Sequence, residues 1–230
     1  MHWKDRYRSF YYATMDEVPD VVLDAKATGL LVIDVQNAFL DDQERDRTPA
    51  EQAEFQRWQP FFQRMRSLVI PSIQRLLAAF RAARRPVYFV RIAGLTADGS
   101  DRSLSQRRPG FNNLLLPYRE HASQIIPELA PQPDEIVLCK TTDSALNGTN
   151  LRLLLHNMGI RDVVVAGIFT DQCVSCTVRS LADESFNVVM AEDALAAGTD
   201  ELHHKELEIL NNIYAQVMST DDVLALLGKE

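Results

Sequence analysis

Asp34, Lys140 and Cys173 lie far apart in the chain but are of the types that acyl-transfer chemistry needs. Each follows a short apolar run. Gly29 to Ile33 precedes Asp34, Glu135 to Cys139 precedes Lys140, and Asp162 to Ile168 lies just before Cys173. Runs of this kind, rich in aliphatic and β-branched residues, read as parallel strands buried on both faces. The carboxyl ends of such a sheet share one edge, where α/β folds bind ligands, so the three groups can converge. A free thiol is only a few per cent ionised at neutral pH, and a nucleophilic cysteine gains from a base and a cation. Asp34 can take the proton, while Lys140 can orient Asp34 and stabilise a thiolate. Cys173 also sits where a strand gives way to a helix with Val174, Val178 and Leu181 on its inner face, and free N–H groups at such a terminus can lower a thiol pKa. The backbone N–H groups of Phe169 and Cys173 are candidates for an oxyanion hole, a contribution of about 3 to 4 kcal/mol per donor. The pattern alone leaves plainer roles open, with Asp34 and Lys140 as cap or surface charges and Cys173 as a packed thiol. Cys139 and Cys176 read as packing residues, because free cysteine is among the most buried residue types.

The elements around these residues alternate between strand and helix. Met65, Leu68, Val69, Ile73, Leu76, Leu77 and Phe80 recur at helical spacing, and Val87 to Val90 follows as a strand with Arg91 past its end. Leu151, Leu154, Leu155 and Met158 form a helix stripe closed by Gly159. Asn187 to Ala191 is a further strand, with Glu192 and Asp193 at its end. A helix from about Glu201 to Asn211, a short strand from Ala215 to Met218 and a helix N-capped near Ser219 complete the chain. The expectation is one α/β domain over 29–230, a three-layer α/β/α sandwich around a six-stranded parallel sheet. Residues 1–28 read as an arm. Its Tyr7, Phe10, Tyr11 and Tyr12 rings must pack on their own domain or on a neighbouring subunit. Loops 41–58 and 94–118 have no clear period, and the Gly-, Ser- and Asp-rich stretch from Gly94 to Pro109 reads as an active-site rim. Thr170 and Asp171 read as helix caps, and His156, His203 and His204 as surface or cap groups.

Composition narrows the function classes. A net charge of -8 over 230 residues, spread without a basic patch, argues against nucleic acid and anionic membrane partners. No apolar run approaches the length of a membrane span, and the opening residues lack the apolar core of an export signal. Three cysteines without a C-x-x-C pair suggest free thiols in a reducing, cytoplasmic setting. No G-x-G-x-x-G follows the first strand, which argues against a dinucleotide, and no His and carboxylate cluster suggests a metal. No cofactor is expected.

The segments Leu31 to Phe39, Lys140 with Ser144-Ala145-Leu146 and Thr149-Asn150-Leu151, and Gly167 to Val174 with Thr177 and Arg179 resemble the isochorismatase-like cysteine hydrolases. That superfamily includes nicotinamidase, N-carbamoylsarcosine amidase, biuret hydrolase and ureidoacrylate amidohydrolase. The resemblance runs from about Leu30 to the C-terminus. It implies a six-stranded parallel sheet, a triad of Asp34, Lys140 and Cys173, and a cis Ile168–Phe169 peptide whose Phe169 N–H serves the oxyanion hole. It also implies a homodimer or homotetramer. Asp41-Asp42-Gln43-Glu44-Arg45 has no histidine where nicotinamidases carry a metal site, and the presence of Cys173 speaks against vinyl-ether hydrolysis. The run Pro131 to Leu138 resembles the ureide-type amidohydrolases, whereas Leu146 and Ile92 depart from the family pattern. The expected activity is metal-independent cleavage of a C–N bond in a small amide, ureide or N-carbamoyl compound through a thioester on Cys173. Phe39, Arg91 and Ser144 are the candidates for substrate binding. Two other classes remain open: a redox or thiol-sensing protein, and a non-catalytic binding or assembly member of the same fold whose pocket the aromatic arm plugs.

Overall fold

The computed structural model describes residues 3–15, 17–19, 21–43, 45–110 and 112–228, so Glu44, Phe111, four residues of the arm and the last two of the chain lie outside the described residues. Strands β1 (Thr28–Ile33), β2 (Val87–Ile92), β3 (Ile136–Lys140), β4 (Asp162–Ile168), β5 (Asn187–Ala196) and β6 (Gln216–Met218) form one parallel sheet in the order β3-β2-β1-β4-β5-β6. Every residue of β1 and β4 is buried. Both faces are covered, so these strands read as continuous apolar runs rather than alternating ones.

Two helical layers do the covering. Leu30 and Val32 of β1 face a core with Phe61, Ile73, Leu77 and Val223 from α1 (Pro49–Arg64), α2 (Ile70–Ala82) and α6 (Thr220–Leu227). Leu31 and Ile33 face the other core, built with Leu155, Val178 and Leu207 from α3 (Leu151–Asn157), α4 (Ser175–Asp183) and α5 (Asp200–Leu210). The period-two alternation of strand side chains sends neighbouring residues of β1 into opposite layers. The expected three-layer fold is therefore observed.

The sheet grows outward from β1 in one direction and from β4 in the other. The crevice between the carboxyl ends of β1 and β4 is thus a topological switch point, the usual ligand address of an open α/β sheet. Asp34 leaves one of these strands and Cys173 follows the other.

Several elements differ from the sequence reading. The helix expected from Met65 begins at Pro49 and passes through a π-helical turn (Met65–Val69) into α2. A capping box starts it: the Glu51 N–H donates to the Thr48 hydroxyl at 3.4 Å, and the Thr48 N–H donates to the Glu51 carboxylate at 2.8 Å. β5 runs on to Ala196, so Glu192 and Asp193 lie inside it. The arm divides in two. The Tyr7 hydroxyl donates to Glu192 Oε2 at 2.8 Å and Val18 and Val21 join the core, whereas Phe10 and Tyr11 are 87% and 82% exposed. No helix among the described residues is long and apolar enough to cross a membrane.

Gly167 governs the approach of β4 to the end of β1. Its φ is 119°, and a Cβ there would meet the Ile33 carbonyl oxygen at 2.0 Å. A Gly167→Ala substitution is expected to cost at least about 3 kcal/mol of unfolding free energy by urea titration, and a loss below about 1 kcal/mol would contradict this steric account.

Candidate active site

Asp34 is the first residue beyond β1. Its N–H donates to the Val90 carbonyl at 2.8 Å, which extends the ladder to β2, and its φ of 55° is a conformation Asp tolerates better than most residues. Lys140 is the last residue of β3, two places from β1, a separation of roughly 10 Å that only a long side chain spans. Cys173 lies in a π-helical turn (Thr170–Val174) between β4 and α4. The Lys140 ammonium joins all three. Its Nζ is 2.7 Å from Asp34 Oδ2 and donates to Cys173 Sγ and to the Thr142 carbonyl, each at 3.1 Å. Asp34, Lys140 and Cys173 are 2%, 0% and 7% exposed.

Burial dominates the electrostatics. It raises the Asp34 carboxyl above its ordinary value, more than Lys140 lowers it. Burial alone would lower the Lys140 ammonium, but Asp34 and Cys173 together hold it above its ordinary value. The Cys173 thiol is lifted well above the ordinary range by burial and then by the Asp34 charge, which outweigh Lys140. The helix-terminus effect expected from the sequence is therefore overridden. With Asp34 and Lys140 as an ion pair beside a neutral thiol, the three side chains carry no net charge. Loss of the thiol proton to solvent would leave a buried excess negative charge, whereas transfer to Asp34 leaves the sum unchanged.

Between β4 and Cys173, the Ile168–Phe169 peptide is cis, as the family resemblance implies. No backbone carbonyl among the described residues accepts from the Phe169 N–H. Thr170 is buried and does not cap; the N-cap position is Phe169, and the Thr170 hydroxyl pairs with His203 Nδ1 at 2.8 Å. Arg64 Nη2 lies 2.9 Å from His203 Nε2. A guanidinium only donates, so Nε2 accepts and Nδ1 carries the proton given to Thr170. His203 is therefore a fully buried prop of the Phe169–Thr170 segment rather than a surface group. Its place was readable, since 203, 207 and 210 share the inner face of α5. His156 and His204 are exposed as expected. Asp171 Oδ1 is buried without a hydrogen-bond partner among the described residues, and Cys176, read as packing, is exposed.

The candidate substrate residues occupy different settings. Phe39 stands edge-on to Phe169 at 5.6 Å, and α1 adds Trp58 at 5.9 Å and Phe61 at 5.2 Å from the same ring. A cleft of about 180 Å³ opens between Ala38, Phe39, Asp41, Trp58, Phe62 and Phe169. Arg91 is buried and donates to the Tyr118 and Ser123 carbonyls at 3.1 Å, which holds the rim loop. Ser144 pairs with Ser180 at 2.9 Å.

Residues the sequence reading missed fasten the frame. Gln36 is fully buried and bonds Ile92 through both its N–H and its carbonyl, at 2.8 and 2.9 Å. The Thr177 hydroxyl donates to the Cys173 carbonyl at 2.7 Å and accepts from the Ala145 N–H at 2.9 Å, tying the turn that carries Cys173 to the loop after Lys140. Asp143 of that loop brings Oδ1 to 3.8 Å from Cys173 Sγ.

Comparisons with known proteins show the family and the fold. The profile of the Isochorismatase domain matches residues 28–222. The isochorismatase family protein YecD of Escherichia coli O157:H7 is 30% identical over 202 residues, 88% of this chain and 97% of that protein. Ureidoacrylate amidohydrolase RutB of Pseudomonas savastanoi pv. phaseolicola is 29% identical over 209 residues, 85% of this chain and 81% of the relative. A crystal structure of a cysteine hydrolase from Pseudomonas syringae pv. phaseolicola 1448A shares the fold with a TM-score of 0.77 at 21% identity, covering 93% of this chain and 98% of the other.

Burial, followed by the charge of Arg64, lowers His203 from 6.5 to about 3. The unfolded chain thus takes up this proton before the folded one. The stability held by neutral His203 is fully present above pH 6.5 and is lost as pH falls towards about 3. Unfolding free energy should decline across that window by up to about 1.4 kcal/mol per pH unit from this group, and His203→Asn should flatten the decline. Identical pH slopes for the two proteins would contradict the assignment.

Proposed function

The chain belongs to the isochorismatase family, and from that premise we propose that it is a metal-independent cysteine amidohydrolase of small amides, ureides or N-carbamoyl compounds. The observation that carries this reading is Lys140 Nζ placed between Asp34 Oδ2 and Cys173 Sγ.

Asp34 takes the thiol proton and Sγ attacks the carbonyl carbon. The N–H groups of Phe169 and Cys173 receive the oxyanion. When the tetrahedral intermediate collapses, the C–N bond breaks and the leaving nitrogen takes the proton from Asp34. Water then attacks the thioester and gives a proton to Asp34, and the released thiolate regains that proton. Lys140 stays protonated throughout and offsets whichever of the two partners is negative. The similarity to ureidoacrylate amidohydrolase supports a carbamoyl-type substrate. We place the enzyme in the cytoplasm as a homodimer or homotetramer, in keeping with the exposed Phe10 and Tyr11 rings.

A thiol sensor is disfavoured because oxidation follows thiolate character and exposure, and Cys173 has little of either. A plugged, non-catalytic member is disfavoured because Phe10, Tyr11 and Tyr12 border Lys205, Ile209 and Tyr214 rather than Cys173.

Ammonia release from a panel of primary amides, ureides and N-carbamoyl compounds tests the proposal. Asp34→Asn, Lys140→Met and Cys173→Ala should each lower turnover by about a thousandfold or more. Undiminished turnover in Cys173→Ala would refute it.

A further inference from the structure

The steps above use Asp34, Lys140 and Cys173 and leave a second carboxylate beside the thiol without a task. Asp143 Oδ1 lies 3.8 Å from Cys173 Sγ and accepts from Gln106 Nε2 at 3.0 Å. Gln106 belongs to a short 3-10 turn (Leu104–Arg107) in the rim loop and is 2% exposed. An ionised carboxylate only accepts, so the amide must turn its NH₂ group to Asp143 and its oxygen the other way. That oxygen, Gln106 Oε1, is buried and has no hydrogen-bond partner among the described residues. A buried acceptor without a donor is costly, so the contact to Asp143 holds the amide in this orientation against that cost.

The placement is built rather than incidental. The Arg102 side chain donates to the carbonyls of Gly99, Gln106 and Leu114, fixing the loop that carries Gln106. The Ser103 N–H donates to the Thr141 carbonyl at 3.1 Å, fastening the same loop to the turn between Lys140 and Asp143.

We propose that Asp143, oriented by Gln106, is a specificity-determining acceptor for the nitrogen side of the substrate. At the thiol the Asp143 carboxylate, held in place by Gln106, receives an N–H of an uncharged –NH₂ carried on or beside the reacting carbon, as in a primary carbamoyl or primary amide group. The Asp143 carboxylate turns away an anionic group at the same place. A carboxylate elsewhere on the substrate must therefore lie on the side away from Asp143. The inference rests on Cys173 being the nucleophile.

Alkylation of the intact protein separates the two claims. Iodoacetamide and iodoacetate differ at the decisive group, one carrying –CONH₂ and the other –COO⁻. Rates of adduct formation at Cys173 are read by peptide mass, which distinguishes Cys139 and Cys176, and are normalised to a small free thiol. The wild-type protein should favour iodoacetamide about tenfold or more after normalisation. Asp143→Asn should bring the ratio back to that of the free thiol, and Gln106→Leu should slow iodoacetamide more than iodoacetate. Equal normalised rates in the wild type, or an unchanged ratio in Asp143→Asn, would overturn the subsite while leaving the nucleophile in place. Absence of any Cys173 adduct with either reagent would overturn the subsite, and turnover by Cys173→Ala decides separately whether the nucleophile stands.

Discussion

A fully buried ammonium is the constraint on which the site depends. Lys140 has no access to water, so its charge must be met inside the protein, and Asp34 at 2.7 Å meets it. Desolvating such a pair is expensive, and removing one partner leaves an unmatched charge in the interior. Much of the surrounding geometry follows from holding this contact. β3 must end where Lys140 can reach past β2, Asp34 must turn through a left-handed conformation at the end of β1, and Gly167 must lie against Ile33 so that β4 delivers its turn nearby. Gln36 and Thr177 then lock the loops on either side.

The parallel strands and the residues at their ends were legible because burial on both faces leaves an unbroken apolar run in the sequence. Where polarity and structure part company, the reading fell short. α1 shows no clear period because its exposed positions are polar, although Thr48-Pro49-Ala50-Glu51 carries the start signal and Phe61 marks its buried side. Glu192 and Asp193 looked like the end of a strand, yet they sit inside β5 because each is satisfied there. Glu192 pairs with Arg6 and Tyr7, and Asp193 accepts from Ser72 and Thr220. His203 was mistaken for a surface group because a polar residue on an inner helix face needs a partner that only the tertiary structure supplies. Asp143 and Gln106 could not be paired from the sequence, since the loop between them has no period to follow.

The thiol shows why local context and global environment must be weighed together. A cysteine at a strand-to-helix junction suggests a lowered pKa, but burial beside a carboxylate acts in the opposite direction and is larger. The consequence is a resting thiol rather than a resting thiolate. In the proposed reaction, ionisation is coupled to the arrival of a carbonyl carbon that can take up the new charge, with Asp34 as the proton acceptor and Lys140 offsetting the negative charge wherever it lies.

The most direct test of this neutral arrangement is the thiolate ultraviolet absorbance of the free protein, titrated with pH and compared with the same titration of Cys173→Ser. The difference should show no Cys173 thiolate at neutral pH, with ionisation only well above the range of an ordinary thiol. A Cys173 thiolate already present at neutral pH without substrate would contradict the account.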